Sequence, residues 1–343
     1  MRANLRTSYW AAAAAALLIG CGDVSDSEDS PSEENSGCGL ATQWGGDENC
    51  IMPPPAELGF QLHYGPSNYD DAAEIQKYLI PSSVDTNIYE PVTAGNTSDI
   101  YFYKRQYRMR PGSHHLIVSG EGQGSILGTG RRLGGSQNSI KDNPVGEIPP
   151  ENRGIGMPLA AGARLILNLH HFNSTPEPLL REAWVNFWYI DAADVKQEAK
   201  EIFLWAFGSA IAPSAKATVR GKKTISEAGR ILTLYGHRHS NNVRFSAYLN
   251  GELVFDDYDW REPAVFEFNT LTNNPTPNLG SGRAGARTGT LELKAGDVLE
   301  WECDIENHHA EPITFGENEA ITSEMCILVG DAVGPALMGL SEL

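Results

Sequence analysis

The chain has 343 residues, a length that suits two domains, and 41% of them are hydrophobic, which is enough for a core in each. Its net charge of −18 would be repelled by phosphates and anionic membrane surfaces, which argues against nucleic-acid binding. The 35 glycines and 20 prolines, together with the lack of long helical periodicity, favour turn-rich β-sandwiches. We therefore predict an all-β protein of two consecutive β-sandwich, jelly-roll-like domains.

Residues 1–21 have the features of an export signal. Arg2 and Arg6 give a basic start, residues 11–19 form a short apolar run, and the segment ends at Cys21. The apolar run is too short to span a bilayer as a mature helix. Its end resembles a bacterial lipobox, which implies cleavage before Cys21 and a lipid anchor on the sulfur of that residue. The alternative is an ordinary secretory signal with an incidental cysteine.

An acidic segment follows at residues 22–37, and it has too few apolar residues to fold. We interpret residues 22–50 as a flexible tether between the lipid and the first domain. If Cys21 carries lipid, four of the five cysteines remain. An even number in an exported protein suggests the disulfides Cys38–Cys50 and Cys303–Cys326, although the sequence alone leaves the pairing open.

Strand-like segments follow residue 50 up to the end of the chain. We place the first domain at residues 51–195 and the second at residues 196–343, with a polar linker at residues 191–201. Asn250-Gly251 lies between two of the segments and is a strong signal for a hairpin. The predicted strands are residues 74–80, 99–110, 114–118, 163–172, 182–190, 202–208, 215–220, 230–239, 243–249, 252–256, 264–268, 289–293, 298–303 and 325–330.

The histidines of this chain are grouped along the sequence. Eight of the nine form near pairs, and each predicted domain has two of these pairs. Core histidines scattered through a fold would not usually group in this way, and imidazoles are common metal ligands. The pairs are His114-His115, His170-His171, His237-Arg238-His239 and His308-His309.

The spacing within the pairs predicts which rings can share a metal ion. Side chains alternate along a strand, so His237 and His239 project from one face while Arg238 points away. His114 and His115 are adjacent, and they can share a metal only if the backbone is distorted there, for example by a bulge. His308 and His309 lie in a polar loop and are expected to be exposed to solvent.

Four short pieces of the sequence, taken in order, resemble the copper type II, ascorbate-dependent monooxygenases. This is the family of the peptidylglycine α-hydroxylating and dopamine β-monooxygenases. Each piece is weak alone, but their order and rough spacing match over residues 72–331, and Cys303 is placed to pair with the cysteine of the last piece. The pieces are His114-His115-Leu116, Leu167-Asn168-Leu169-His170, His237-Arg238-His239 and Glu324-Met325-Cys326.

The resemblance implies two copper ions per chain, one in each domain. The second copper would activate O₂ and hydroxylate a C–H bond, with its three ligands as the catalytic residues. The first copper would receive an electron and supply it across a cleft, and a reductant such as ascorbate would reload both coppers. A thioether ligand favours Cu(I), the state that reacts with O₂. The implied ligands are His114, His115 and His170 for the first ion and His237, His239 and Met325 for the second.

The sequence departs from the peptide-hydroxylating members of this family near the second copper. Tyr235 stands where those members have an arginine that helps to hold the substrate carboxylate, and the apolar Ile327 and Val329 replace polar residues. We therefore expect a mainly apolar or neutral substrate in contact with Tyr235, with Arg244 as the remaining candidate for an anchoring cation. His171 stands where those members have a tyrosine, and we expect that it is not a ligand.

The predicted function is copper-dependent hydroxylation of a small organic molecule by a monomeric, lipid-anchored protein of the bacterial cell envelope. Two alternatives stay open. The first is a copper-binding lipoprotein without turnover, which reductant-dependent O₂ consumption would separate from the enzyme. The second is an extracellular β-sandwich module for protein interactions, which the metal content would separate from both.

Overall fold

The computed structural model describes residues 38–120, 131–138, 148, 152, 154–268, 277–279, 282–285, 289–317 and 319–342. Strands make up 54% of it and helices 4%, which confirms the predicted all-β, β-sandwich-like fold. The described residues belong to one compact unit. None of their helices has the length and apolar character needed to cross a membrane. The predicted signal, the lipidation site Cys21 and the tether up to residue 37 lie outside the described residues.

The described part of the chain is a succession of strands with one short α-helix, α1 (Ala72–Ile75), and 3-10 turns at Asp47–Asn49 and Gln76–Tyr78. The strands are β1 (Gly59–Tyr64), β2 (Leu79–Ile80), β3 (Asp85–Thr93), β4 (Ile100–Met109), β5 (Ser113–Gly120), β6 (Arg132–Ser136), β7 (Ile155–Leu159), β8 (Arg164–Phe172), β9 (Leu179–Leu180), β10 (Ala183–Ile190), β11 (Gln197–Trp205), β12 (Lys216–Thr224), β13 (Gly229–Arg238), β14 (Asn242–Leu249), β15 (Glu252–Asp257), β16 (Val265–Glu267), β17 (Pro277–Leu279), β18 (Arg283–Ala284), β19 (Leu291–Leu293), β20 (Val298–Glu306), β21 (Thr314–Phe315), β22 (Ser323–Glu324), β23 (Cys326–Val333) and β24 (Leu337–Leu340).

The predicted strands overlap the observed ones, with two corrections. Residues 74–80 form the end of α1, a 3-10 turn and only the two-residue strand β2, because the side chain of Asp71 accepts hydrogen bonds from two N–H groups of the first helical turn. The polar stretch 191–201 is not all linker, since β11 begins within it and pairs with β7 and β23. The Asn250-Gly251 hairpin joins β14 to β15, and both of its residues have a positive φ, 53° and 79°.

Three sheets organise the fold. The longest has the order β1-β10-β4-β7-β11-β23-β13-β16-β17, with β24 added to β11 and β19 to β13. A four-stranded sheet, β3-β8-β5-β6, and a five-stranded sheet, β12-β20-β14-β15-β18, complete the two halves. The long sheet crosses residue 195 through the parallel pairing of β7 with β11. The division into two domains there stays a prediction, and we call residues 51–195 the first half and residues 196–343 the second half.

The strand β23 and the residue before it supply side chains to two hydrophobic cores in alternation. Met325, Ile327 and Val329 belong to the core that includes the first half, whereas Cys326 and Leu328 belong to the core of the second half. Since neighbouring side chains of a strand point to opposite faces, the long sheet is a wall that both cores share. The predicted ligands of the second half therefore face the first half.

Both predicted disulfides are present. Cys303–Cys326 joins β20 to β23, with Cα atoms 5.9 Å apart. Cys38–Cys50 closes the loop that precedes β1, with Cα atoms 5.5 Å apart. The first of these bonds fixes the strand that follows Met325 to the sheet of the second half, and it therefore restrains the position of a predicted ligand.

The tether prediction is corrected for residues 38–50, which are folded against the first half. Asn49 Nδ2 donates a hydrogen bond of 2.8 Å to the carbonyl of Met109, and both groups are buried. Asp47 forms an ion pair of 2.8 Å with the buried guanidinium of Arg110. The disulfide and these contacts give the segment a fixed place, which its polar sequence alone does not reveal.

Candidate metal centre

Five histidine rings from both halves form a single buried cluster. His114 is at its centre, because its ring centroid lies 4.9 Å from that of His239, 5.0 Å from His170, 5.3 Å from His115 and 5.5 Å from His237. Two triads in the cluster have ligand atoms within 4.8 Å of one another. One is His114 with His115 and His237, and the other is His114 with His170 and His239, so each triad takes rings from both halves.

A bulge at the start of β5 brings two neighbouring histidines into this cluster. The pairing of β5 with β8 shifts register between Ser113 and His115. As a result, His114 and His115 both contact the ring of His170, which is the partner of His115 on β8. The sequence predicted a distortion of this kind as the condition for two adjacent ligands, and the structure confirms it.

The end of β13 presents His237 to the same cluster. His237 Nε2 lies 3.2 Å from the sulfur of Met325, which is also buried. Arg238 points the opposite way, as predicted: its guanidinium pairs with Asp257 and faces the ring of Phe245 in the core of the second half. Strand alternation therefore separates the candidate ligand from the neighbouring cation.

Hydrogen bonds outside the cluster determine which ring nitrogens face into it. Three rings, those of His115, His170 and His239, each contact an oxygen acceptor outside the cluster. Each of these rings therefore directs its N–H outward and keeps a lone pair on its other nitrogen. These inner nitrogens, on His115, His170 and His239, are buried and have no hydrogen-bond partner. A metal ion would satisfy them. The outer bonds are His115 Nε2 to Asn168 Oδ1 at 2.8 Å, His170 Nε2 to Asp85 Oδ1 at 2.6 Å and His239 Nδ1 to the Ser323 carbonyl at 3.1 Å.

Burial favours the neutral form of four rings of the cluster, those of His114, His115, His237 and His239. Desolvation is the main cause that lowers the pKa of His114, His115 and His237 well below the ordinary value, and repulsion between neighbouring protonated rings adds to it. Desolvation also lowers the pKa of His239 to about 3. A neutral imidazole has the lone pair that a metal needs, so these rings release no protons when a cation binds at neutral pH.

Glu324 holds the two ligand segments of the second half together. Its buried carboxylate accepts hydrogen bonds from the backbone N–H groups of His239 at 2.6 Å, Asn241 at 3.1 Å and Met325 at 3.0 Å. Burial raises the pKa of Glu324 to about 8, and these three bonds work against that rise. The sequence marked Glu324 only as a neighbour of Met325, since nothing in it indicates which distant backbone groups a carboxylate will meet.

Asp85 contacts the cluster, and the sequence did not single it out. One of its oxygens holds His170 Nε2 at 2.6 Å, and the other accepts the N–H of Ala320 at 2.8 Å. This links the first half to the loop before Met325. Asp85 is the first residue of β3, a strand that was not predicted, so its position opposite a histidine could not be anticipated.

We expect Asp85→Asn to weaken metal binding by about 10- to 100-fold, because an amide is a poorer acceptor for the His170 N–H and holds the ring less firmly. Competition of the metal-free protein with a chromophoric chelator measures the affinity. Asp304→Asn is the matched control, since Asp304 lies on β20 and pairs with Arg244. Equal affinities for the two variants would contradict a role for Asp85 in orienting the ring.

The two predicted substrate contacts have hydrogen-bond or ion-pair partners outside the cluster. Tyr235 is buried between the halves, and its hydroxyl donates a hydrogen bond of 3.2 Å to the carbonyl of Gly135. Arg244 lies on the five-stranded sheet, where it is 3.5 Å from Asp304 and 3.6 Å from Asp256. A substrate contact through Tyr235 stays a prediction without support from its position.

Three further histidines lie outside the cluster and differ in burial and contacts. His171 is fully buried, and its Nε2 lies 2.9 Å from the hydroxyl of Ser113. It belongs to neither triad, in line with the expectation that it is not a ligand. His308 is exposed, as predicted, and lies 3.5 Å from Glu306, whereas His309 is half-buried.

The two predicted ligand sets touch each other instead of facing each other across a cleft. The shortest centroid distance in the cluster, 4.9 Å, joins His114 of the first set to His239 of the second. The reason lies in the shared wall, because Ile327 and Val329 pack into the same core as the strands of the first half. The expectation of a cleft is therefore corrected, while the assignment of the ligands to two separate ions stays a prediction.

Comparisons with known proteins leave the identity of this chain open. No model of a protein family matches it, and no curated protein matches it either. A function for the chain must therefore be argued from the residues and geometry of the cluster.

Proposed function

We propose that this chain is a copper-dependent monooxygenase that hydroxylates a C–H bond of a small organic substrate with O₂ and an ascorbate-like reductant. The observation that carries the proposal is the buried histidine cluster, in which four imidazole nitrogens lack a hydrogen-bond partner and a fifth ring, that of His237, lies 3.2 Å from the sulfur of Met325. Imidazoles suit copper, and a thioether favours its reduced state. The resemblance of four sequence pieces to copper type II monooxygenases supports the same chemistry.

The residues of the cluster have distinct parts in this proposal. Bound copper would supply the one-electron chemistry and the activation of O₂. Asp85 and Asn168 keep two rings in the tautomer that binds a metal, and Glu324 keeps the two ligand segments of the second half in register. Burial of the donors excludes water from the centre. The proposed ligands are His114, His115, His170, His237, His239 and Met325.

The proposed reaction balances with a reductant of the ascorbate type. One substrate C–H bond, one O₂, two electrons and two protons give one C–OH group and one water. The reductant gives up the two electrons, one oxygen atom enters the substrate, and the other leaves as water.

We also propose that the protein acts as a lipid-anchored monomer of the bacterial envelope. Its two disulfides suit this location, because disulfides persist in oxidising compartments.

We expect the copper-loaded protein to retain two copper ions per chain after excess metal is removed. His114 belongs to both triads, so His114→Ala should lower this number. Elemental analysis against protein concentration gives the stoichiometry, and the exposed His308→Ala variant is the control that should still hold two ions. A stoichiometry near one that His114→Ala leaves unchanged would exclude the two-ion arrangement.

A measurement of turnover distinguishes the proposed enzyme from the copper-binding lipoprotein and from the interaction module. We expect O₂ consumption that needs both copper and a reductant, and a screen of small molecules for a mass gain of one oxygen atom should find the product. Copper without O₂ consumption under these conditions would favour the copper-binding lipoprotein. Absence of copper binding would favour the interaction module.

A further inference from the structure

We propose that a cavity beside His114 is the substrate site, and that its occupant is a neutral molecule with a single ring. The substrate part of this inference rests on the proposed function. The cavity has a volume of 250 Å³ and lies between residues 112–114 and 172–174 of the first half and residues 260–262 of the second half. The lining residues that matter for binding are His114, Phe172, Ser174, Trp260, Arg261 and Glu262.

The position of the cavity connects it to the metal centre. His114 forms part of its wall, and the same ring contacts the four other rings of the cluster. The ring of Trp260 lies 5.7 Å from that of His114. A molecule in this cavity therefore lies against the central ligand ring. Another cavity near the cluster is lined by Asp85 and the acidic residues 317 and 319, and no cluster histidine is in its lining.

The size and walls of the cavity indicate the class of molecule. An apolar cavity of about 150 Å³ holds one benzene molecule, whereas drug-sized ligands occupy about 300–1,000 Å³. A volume of 250 Å³ thus suits one ring with a short substituent. Phe172 and Trp260 offer two aromatic surfaces, which favour stacking or edge contacts with a flat ring.

The charges at the rim favour a neutral occupant. Arg261 lies over the ring of Trp260, 5.4 Å from its centroid, where the cation of a charged substrate would otherwise bind. An ammonium group would therefore meet a like charge. Glu262 beside Arg261 carries the opposite charge, so the rim has no net charge that would attract an ion of either sign, and the net charge of −18 works against anions.

One side chain holds both the Trp260 wall of the cavity and the end of β13 that carries His237. Gln137 Nε2 of the first half donates hydrogen bonds to the carbonyl of Arg238, at 2.9 Å, and to the carbonyl of Trp260. Because Arg238 lies between His237 and His239, a single amide group fixes both the cavity wall and the ligand strand. The cavity is therefore part of the same framework as the cluster.

Saturation-transfer NMR on the metal-free protein tests the site with three probes of similar size: benzyl alcohol, benzylamine and benzoate. We expect saturable binding of benzyl alcohol and roughly fivefold weaker binding of the two charged probes. Trp260→Ala should abolish the benzyl alcohol signal, whereas Tyr258→Ala, at an exposed aromatic residue of the same segment, should retain it. Arg261→Gln should raise the binding of benzylamine relative to benzyl alcohol.

Ser174→Phe gives an independent answer, because Ser174 is exposed and the new ring fills the cavity without disturbing the core. It should abolish binding as well, even if Trp260→Ala fails to fold. A benzyl alcohol signal that persists in Ser174→Phe, or a preference of the wild-type protein for a charged probe, would overturn the proposal.

A measurement on the copper-loaded protein distinguishes a failure of this inference from a failure of the proposed function. Cu(II) shortens the relaxation times of nearby protons, so bound benzyl alcohol should relax faster in the copper-loaded protein than in a zinc-loaded control. Retained copper without this enhancement would overturn the location of the site. If the probes bind as expected but no copper is retained, the proposed function fails while the cavity stands as a binding site.

Discussion

Replacement of Met325 by isoleucine should lower reductant-dependent O₂ consumption by about 100-fold or more, a loss of about 2.7 kcal/mol of transition-state stabilisation. The thioether 3.2 Å from His237 Nε2 would be lost, and with it the soft donor that favours Cu(I). Isoleucine has a similar volume and suits a strand, so the free energy of unfolding should fall by less than about 1.5 kcal/mol.

The matched control for this prediction is Met109→Ile, which makes the same change at a buried methionine of β4. An oxygen electrode measures turnover, thermal unfolding reports the fold, and elemental analysis shows whether copper persists at the histidines of the first half. If Met325→Ile and Met109→Ile turn over equally fast, Met325 is not a ligand. If both lose activity and stability together, the effect belongs to packing.

Asp331→Ala should lower the free energy of unfolding by about 3–5 kcal/mol, because it removes the carboxylate that pairs with a buried guanidinium. Asp331 of β23 lies 2.5 Å from Arg105 of β4, and both side chains are buried. The hydroxyl of Thr233 donates a further hydrogen bond of 3.2 Å to Asp331. This ion pair therefore joins the two halves through the wall that also carries Met325.

Urea unfolding measures the effect, with Arg220→Ala as the control. Arg220 pairs with Glu302 at 2.6 Å on the surface, so its loss should change stability by less than about 1 kcal/mol. The double variant with leucine at positions 105 and 331 should recover much of the loss, since it removes both buried charges. If Asp331→Ala costs no more than Arg220→Ala, the ion pair does not join the halves.

The strands that carry the candidate ligands could be predicted because their patterns are local. His237 and His239 alternate with Arg238 on a strand, and the adjacent pair His114-His115 required a distortion that is present as a bulge. Such statements need only the geometry of one strand. The edge strand β3 was missed because it carries Pro91 and is only half-buried, so it lacks the apolar alternation of the inner strands.

The contacts that complete the cluster could not be predicted, because they join distant parts of the chain. Asp85 meets His170, and Gln137 meets the carbonyl of Arg238, yet no local pattern relates these positions. The contact between the halves was missed for a related reason. The alternation of β23 indicates two buried faces, but it does not show that one of those faces packs on the first half.

The place of β23 in the long sheet determines when the sheet and the histidine cluster can be completed. This strand lies between β11 and β13 in the sheet, although residues 326–333 follow both of those strands along the chain. Until they emerge, β11 and β13 each lack a neighbour, and the second half exposes unpaired strand edges that invite aggregation. The histidine cluster can meet Met325 only once this strand is in place, because Met325 immediately precedes β23 and lies 3.2 Å from His237 Nε2.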